Sequence, residues 1–298
     1  MSLIAFLGAI ESGLVYALVA FGVYFSFRVL DFPDLTVDGS FPLGAAVSAV
    51  LLISGINPWL ATFAAFFAGA MAGIITALMN VKLGILNLLA SILTMIALYS
   101  INLRIMGKPN VALLGEETIL TPTDAWSIPY YAATPLFFSF FIIFIFVLLW
   151  VFLNSQLGLS MRSTGANSRM ASAQGINTAS MIILGMAISN GLVGLAGSLF
   201  AQSQGSADIT MGVGVIVIGL ASVIGGEALI TPKTMLRALL ACLIGAILYR
   251  LAIALALNSD FIGLKAQDLN LVTAVLVTFA IVAPKLKPMI FKKKQKTG

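Results

Sequence analysis

Histidine is absent from the sequence, and cysteine occurs once, at Cys242. Without imidazole there is no ordinary zinc site, haem ligand or histidine base. A single cysteine closes no internal disulfide, which excludes a disulfide-built secreted domain. Charge is scarce as well. Only 9% of the 298 residues are Asp, Glu, Lys or Arg, against about a quarter in an average soluble domain. That is too little polar surface for a soluble enzyme or a nucleic-acid reader of this length. No G-x-x-x-x-G-K-[ST] run occurs, so the chain carries no P-loop for ATP. What fills the sequence is apolar: 60% of residues are hydrophobic and the mean hydropathy is +1.08. The composition is that of an all-α polytopic membrane protein.

A helix needs about 20 apolar residues to cross the hydrocarbon core. Nine segments fit or nearly fit, near 3–27, 39–55, 58–80, 84–103, 133–153, 181–202, 210–225, 234–257 and 268–284. The expected architecture is therefore about eight to ten spans. Two of them, 39–55 and 210–225, are short, as re-entrant or broken helices are. The first segment lacks a basic start and is long enough to span, so it reads as retained rather than as a cleaved signal. Placing the C-terminal tail in the cytoplasm puts twelve basic residues on that side: Arg28, Lys82, Arg162, Arg169, Lys233, Arg237 and six tail lysines. Arg104, Lys108 and Lys265 fall outside, and Arg250 lies within a span. This asymmetry sets the orientation and places the N-terminus outside. The loop 104–132, with Glu116, Glu117 and Asp124, then packs on the outer face.

Two stretches resemble each other. Gly13-Leu14-Val15-Tyr16-Ala17-Leu18 precedes Asp34-Leu35-Thr36-Val37, and Gly191-Leu192-Val193-Gly194-Leu195-Ala196 precedes Asp208-Ile209-Thr210-Met211. Each Asp-x-Thr-x tetrad leads into a glycine-containing short span, and the two copies run in opposite directions across the bilayer. That is the pattern of an inverted-topology repeat, in which the substrate path lies at the repeat interface. Gly39, Gly44, Gly212 and Gly214 concentrate in these short spans, where small residues allow close approach and helix breaks. The two segments are expected to flank a translocation pathway, with Thr36, Ser40, Asn190 and Thr210 as its polar lining. Asp31, Asp34 and Asp38 suit hydration of the loop or capping of the helix at 39–55, and capping is favoured over contact with substrate. Three roles suit Arg250: contact with an anionic substrate group, pairing with an acidic residue, or snorkelling beside Tyr249. Its nearness to the outer side favours the last two.

The segment 154–180 reads as a short cytoplasmic surface helix between confident spans. Asn167 is a good N-cap, Gly175 suits the left-handed position after the helix, and Asn177 or Thr178 can cap the next span. Such a helix suits a docking knob for a cytoplasmic partner, or an ordinary amphipathic connector.

Arg162-Ser163-Thr164-Gly165-Ala166-Asn167, then Ala171 and Gly175-Ile176-Asn177, resembles the loop of the branched-chain amino acid and ribose permease family of ABC importers. Gly191 to Gly197, Gly212-Val213-Gly214 and Ile224-Gly225-Gly226 continue the resemblance, as does the stretch from Asp31 to Ala45. It covers most of the chain. In that family the loop carries a coupling helix seated on a separate ATP-hydrolysing subunit. By resemblance this helix lies at about 167–174, with Arg162, Gly165, Asn167, Arg169, Ala171 and Gly175 as its coupling residues. The resemblance implies one transmembrane permease domain, 1–298: a first repeat at about 1–153, the coupling loop at 154–180, a second repeat at about 181–285 and a basic tail at 286–298. It implies a non-catalytic subunit of the bacterial cytoplasmic membrane, with no cofactor or metal of its own. ATP and Mg would belong to the partner ATPase. Further implied partners are an extracytoplasmic solute-binding protein and a second permease copy, identical or paralogous. The implied solute is an amino acid. A sugar or nucleoside is the alternative, weakened because the chain lacks the extra N-terminal span of some sugar permeases. A stand-alone secondary transporter would need buried titratable groups, and here the acids sit mostly near span ends.

Overall fold

In a computed structural model of the chain, residues 3–125 and 129–257 are described, together with Val275 and Thr278. The first apolar run forms α1 (Leu3–Tyr24), which continues into one π-helical turn over Phe25–Val29. The helix stops where Asp31 adopts φ +53°, a conformation that Asp tolerates better than most residues. After this break comes α2 (Val37–Ile53). In α3 (Pro58–Val81), Asn57 caps the first turn by accepting the Trp59 N–H at 2.9 Å, and Pro58 occupies a position whose N–H would be unpaired anyway. Next is α4 (Asn87–Met106), which ends on Gly107 at φ +68°. The chain continues through α5 (Tyr130–Asn154), α6 (Gln156–Ala166), α7 (Ser168–Ala173), α8 (Thr178–Gln204), α9 (Val215–Leu229) and α10 (Met235–Leu257).

Six of these helices are long and apolar enough to cross a membrane: α1 with its π turn, α3, α4, α5, α8 and α10. The 17 residues of α2 and the 15 of α9 give, at about 1.5 Å per residue, helices shorter than the roughly 30 Å hydrocarbon core. The protein is thus an all-α polytopic membrane protein with two short helices where short spans were expected. The second of them needs a correction. Residues 210–214 form turns, and helix begins only at Val215, because Gly214 takes φ +80°. The ninth expected span, 268–284, lies outside the described residues.

Close helix approach centres on α8, which packs against α3, α2 and α1. A Cβ on Gly69 or Gly73 of α3 would stand 2.3 or 2.1 Å from the backbone oxygens of Asn190 or Met186. Toward α2, a Cβ on Gly197 would stand 1.9 Å from the Phe41 oxygen. Lipid supplies no hydrophobic drive between helices, so van der Waals contact between closely approaching backbones takes its place. The last helices repeat the arrangement: α1 packs on α10 and α9 as α8 packs on α3 and α2, and α9 packs on α10 as α2 packs on α3.

One element was not expected. Strand β1 (Asn110–Ala112), in the loop after α4, pairs antiparallel with β2 (Ser206–Asp208), just after α8. The register sets Val111 opposite Ala207, and both are buried. The Ile119 N–H donates to Gln202 Oε1 at 3.0 Å, so this loop is tied to the end of α8 twice.

Candidate functional site

The break before each short helix has the same local geometry. Asp34 Oδ1 accepts the Thr36 N–H at 2.8 Å, and Asp208 Oδ1 accepts the Thr210 N–H at 2.8 Å. The environments differ. Asp34 is fully buried, and its other oxygen accepts from Asn190 Nδ2 at 2.7 Å. Asn190 in turn accepts from the Ser40 hydroxyl at 2.7 Å, while the Thr36, Thr76 and Thr94 hydroxyls form a chain at 2.8 and 2.9 Å. Thr36, Ser40 and Asn190 are therefore wholly buried and bonded within the subunit, where they hold α2 against α8 and α3. Asp208 sits at the surface. Partial burial raises its carboxyl, but donors on Thr210 and Asn110 outweigh this and hold it below the usual carboxylate range.

Asp38 does not cap its own helix. Its Oδ1 accepts the Ile216 N–H at 2.8 Å and its Oδ2 the Gly214 N–H at 3.3 Å, so it caps α9, more than 170 residues away. A carboxylate at a helix N-terminus answers both the free N–H groups and the helix dipole. Gly212 permits this meeting of the two broken segments, since a Cβ there would stand 2.0 Å from the Asp38 backbone oxygen.

Beside this junction lies a half-open cavity of about 470 Å³. α2 contributes Asp38 and Gly39, α4 contributes Met95, Tyr99 and Asn102, and the turn before α9 contributes Thr210. Of the expected pathway residues, Gly39 and Thr210 line this cavity. Gly212 and Gly214 stand at the adjoining α9 entrance, and Gly44 packs on Gly194 of α8. Sequence reading passed over Asp38 and Asn102 as lining residues. The cluster of Asp31, Asp34 and Asp38 flagged the first as a cap ahead of a substrate contact, and Asn102 stood as one polar residue in an apolar helix. Asn102 Nδ2 donates to the Gly39 carbonyl at 3.2 Å.

The surface helix α7 forms with the expected caps. Asn167 accepts the Met170 N–H at 3.0 Å, Gly175 takes φ +84°, and Asn177 caps α8 by accepting the Ser180 N–H at 3.1 Å. Ala171 faces inward and is buried, while Arg169 and Met170 are exposed. In α6, Gly165 lies against the end of α1, where a Cβ would stand 2.0 Å from the Val29 oxygen, and Arg162 is half-buried. The Arg250 guanidinium lies 3.8 Å from the ring centroid of Tyr16, which also stacks on Phe41 and contacts Phe200. Among the described residues no group of three His, Cys, Asp or Glu could hold a metal ion.

A profile of the permease component of branched-chain amino acid transport systems matches residues 5–282. The tyrosine transport system permease protein of Clostridioides difficile (strain R20291) is 38% identical over 272 residues, which cover 91% of this chain and 88% of that protein. The probable branched-chain amino acid transport permease protein LivH of Methanocaldococcus jannaschii is 26% identical over 229 residues, 74% of this chain and 72% of that protein. Among solved structures, PsaBC from Streptococcus pneumoniae in complex with Fab aligns with a TM-score of 0.53 at 16% identity, over 93% of this chain and 89% of that one. At that identity the likeness speaks to the fold alone.

Proposed function

The chain belongs to the family of branched-chain amino acid transport system permeases, multi-pass membrane subunits of ATP-binding-cassette importers, and from that premise we propose that it forms the import path for an amino acid. The observation that carries the solute class is the 38% identity with a tyrosine transport permease along nine-tenths of the chain. In this reading α7 docks on a separate ATPase through its exposed face, with Arg169 and Met170 presented and Ala171 anchoring the helix to the subunit. ATP and Mg sit on that partner, and the permease alternates access without covalent chemistry.

The cavity beside Asp38 is this subunit's share of the path. Its mouth is rimmed by exposed apolar side chains, Ile96 at 60% and Tyr99 at 55% exposure, which a second permease copy would cover. An inverted relation between the halves is part of the proposal. Two tetrads that close the same turn and helices that pack in exchanged order support it. The N-terminus lies outside and the basic tail inside, where the positive-inside bias puts it. A soluble binding protein delivers the solute to the outer face.

The test is solute range. Proteoliposomes holding the permease, its ATPase and its binding protein should accumulate radiolabelled L-tyrosine or another amino acid, with unlabelled amino acids competing and ribose not. Accumulation of ribose or a nucleoside without any amino acid would replace this reading.

A further inference from the structure

Among the described residues one ion pair forms, between the Arg28 guanidinium and the Glu227 carboxylate, 199 residues apart. Both partners stand in unusual places. Glu227 lies in the last turn of α9, where a negative charge opposes the helix dipole and needs a cation to offset it. Arg28 lies in the π-helical turn that ends α1, where the Leu30 N–H reaches back five residues to the Phe25 oxygen at 3.0 Å. Such wide turns are rare and recur at functional sites. This one bears on the segment that leads to the docking helix. A Cβ on Gly165 of α6 would stand 2.0 Å from the Val29 oxygen and 2.9 Å from the Leu30 carbonyl carbon, so backbone meets backbone there.

The other end of α9 is the end at the cavity, capped by Asp38. Along its length α9 forms one body with α10. A Cβ on Gly226 would stand 1.9 Å from the Ala241 oxygen, and one on Gly245 2.0 Å from the Ser222 oxygen. This body meets the α1 backbone closely at Gly13, where a Cβ would stand 2.9 Å from the Ile247 Cα. That point is about four turns from Arg28. Nearer the ion pair the contact with α1 is softer. A Cβ on Gly219 meets side-chain carbons of Val19 and Val23, and the Tyr24 hydroxyl adds a weak bond to Met235 Sδ at 3.8 Å. Apolar contact is non-directional, so the charged pair is what fixes the end of α9 against the π turn. The Arg28 side chain is 50% exposed. A pair so open to water adds little to stability, so what it contributes is position.

We infer that Arg28 and Glu227 are coupling residues, the tie by which movement of the docked α6–α7 segment reaches α9. The inference rests on the permease reading above, in which α7 docks on an ATPase. A shift of α6 bears on the π turn, Arg28 draws Glu227 with it, and the α9–α10 body pivots about its approach to Gly13. The start of α9 and the Asp38 cap then move with that body and reshape the cavity wall. Both residues act through α9 and position it.

The experiment measures radiolabelled L-tyrosine uptake and phosphate release from ATP on the same proteoliposomes, which hold the permease, its ATPase and its binding protein. Arg28→Gln and Glu227→Gln should keep the melting temperature and the yield of co-purified ATPase, and should go on hydrolysing ATP. Uptake per ATP should fall roughly fivefold or more, the size of an ordinary coupling between sites. The exchanged pair, Arg28→Glu with Glu227→Arg, restores opposite charges at the same combined reach and suits the α9 dipole. It should recover most of the loss. Unchanged uptake per ATP in both single variants would overturn the inference. So would a loss that only tracks a fall in melting temperature or ATPase yield, or an exchanged pair no better coupled than the single variants. The wild type separates the two levels. Uptake of ribose in place of any amino acid removes the amino-acid reading alone, because ribose taken up per ATP tests the pair equally. Accumulation by the chain without an ATPase removes the permease-subunit reading and the inference with it.

Discussion

Substituting Gly44 by alanine places one methyl group between α2 and α8. The added Cβ would stand 1.9 Å from the Gly194 carbonyl oxygen, 2.5 Å from its carbonyl carbon and 2.6 Å from its Cα. All three are backbone atoms, so no rotamer change relieves the clash. α8 is also held close to α3, where a Cβ on Gly194 would itself stand 2.6 Å from the Ala65 oxygen. α2 must therefore shift by about 1.5 Å to reach ordinary contact. That strains the bonds among Ser40, Asn190 and Asp34 and moves Asp38 relative to α9. Overpacking of this kind costs about 1–3 kcal/mol. The control is Gly8→Ala, near the exposed start of α1, where a Cβ meets nothing within 4 Å. Helix propensity makes that change neutral or stabilising by up to about 1 kcal/mol. Reversible unfolding in mixed micelles should separate the two variants by at least about 1 kcal/mol, with Gly44→Ala the weaker. Equal stability would mean that α2 and α8 do not approach as described.

Three further outcomes are expected. Tyr16→Leu strands the Arg250 guanidinium in an apolar setting and should destabilise the protein more than Arg250→Met, with a coupling of about 1–2 kcal/mol in a double-mutant cycle; additive effects would remove the cation–π contact. Arg169→Glu should lower the yield of ATPase co-purified with the permease, since Arg169 is exposed on α7, and an unchanged yield would count against docking there. The Asp208 carboxyl is held low in the folded state, so its contribution is full above the unfolded value of about 4 and is lost as pH falls through the lower folded value. Hydrogen-exchange protection of Leu113 and Ile209, whose amides flank the β1–β2 pair, should hold from about pH 7 to about pH 5 and decline only below about pH 4. Decline already near neutrality would contradict this.

The long spans and the surface helix were readable because their signals are local. Hydropathy marks α3, α8 and α10, while Asn167, Gly175 and Asn177 supply the caps of α7 and the start of α8. The Asp-x-Thr tetrads marked the breaks for the same reason, since an Asp side chain folding onto an N–H two residues on is a short-range turn. What escaped is long-range. Strands of three residues carry no periodicity, so β1 and β2 exist only because the ends of α4 and α8 bring them together. Asp38 was read as a cap for the helix it begins, because nothing local tells it from one that caps a helix 176 residues further along. The polar residues Thr36, Ser40 and Asn190 looked like pathway lining by type. Their partners, Thr76 and Asp34 among them, become visible only when α2, α3 and α8 are packed. Gly69 and Gly73 went unremarked because α3 is of ordinary length, yet they set its distance from α8.

Energy coupling tests the central claim most directly. Proteoliposomes containing the purified chain alone should not accumulate radiolabelled L-tyrosine under a proton or sodium gradient. Vesicles that also hold the ATPase, with ATP on its side and binding protein on the other, should accumulate it, and a non-hydrolysable ATP analogue should stop them. Gradient-driven accumulation by the chain alone would contradict an ATP-driven permease subunit and make the protein a self-sufficient transporter.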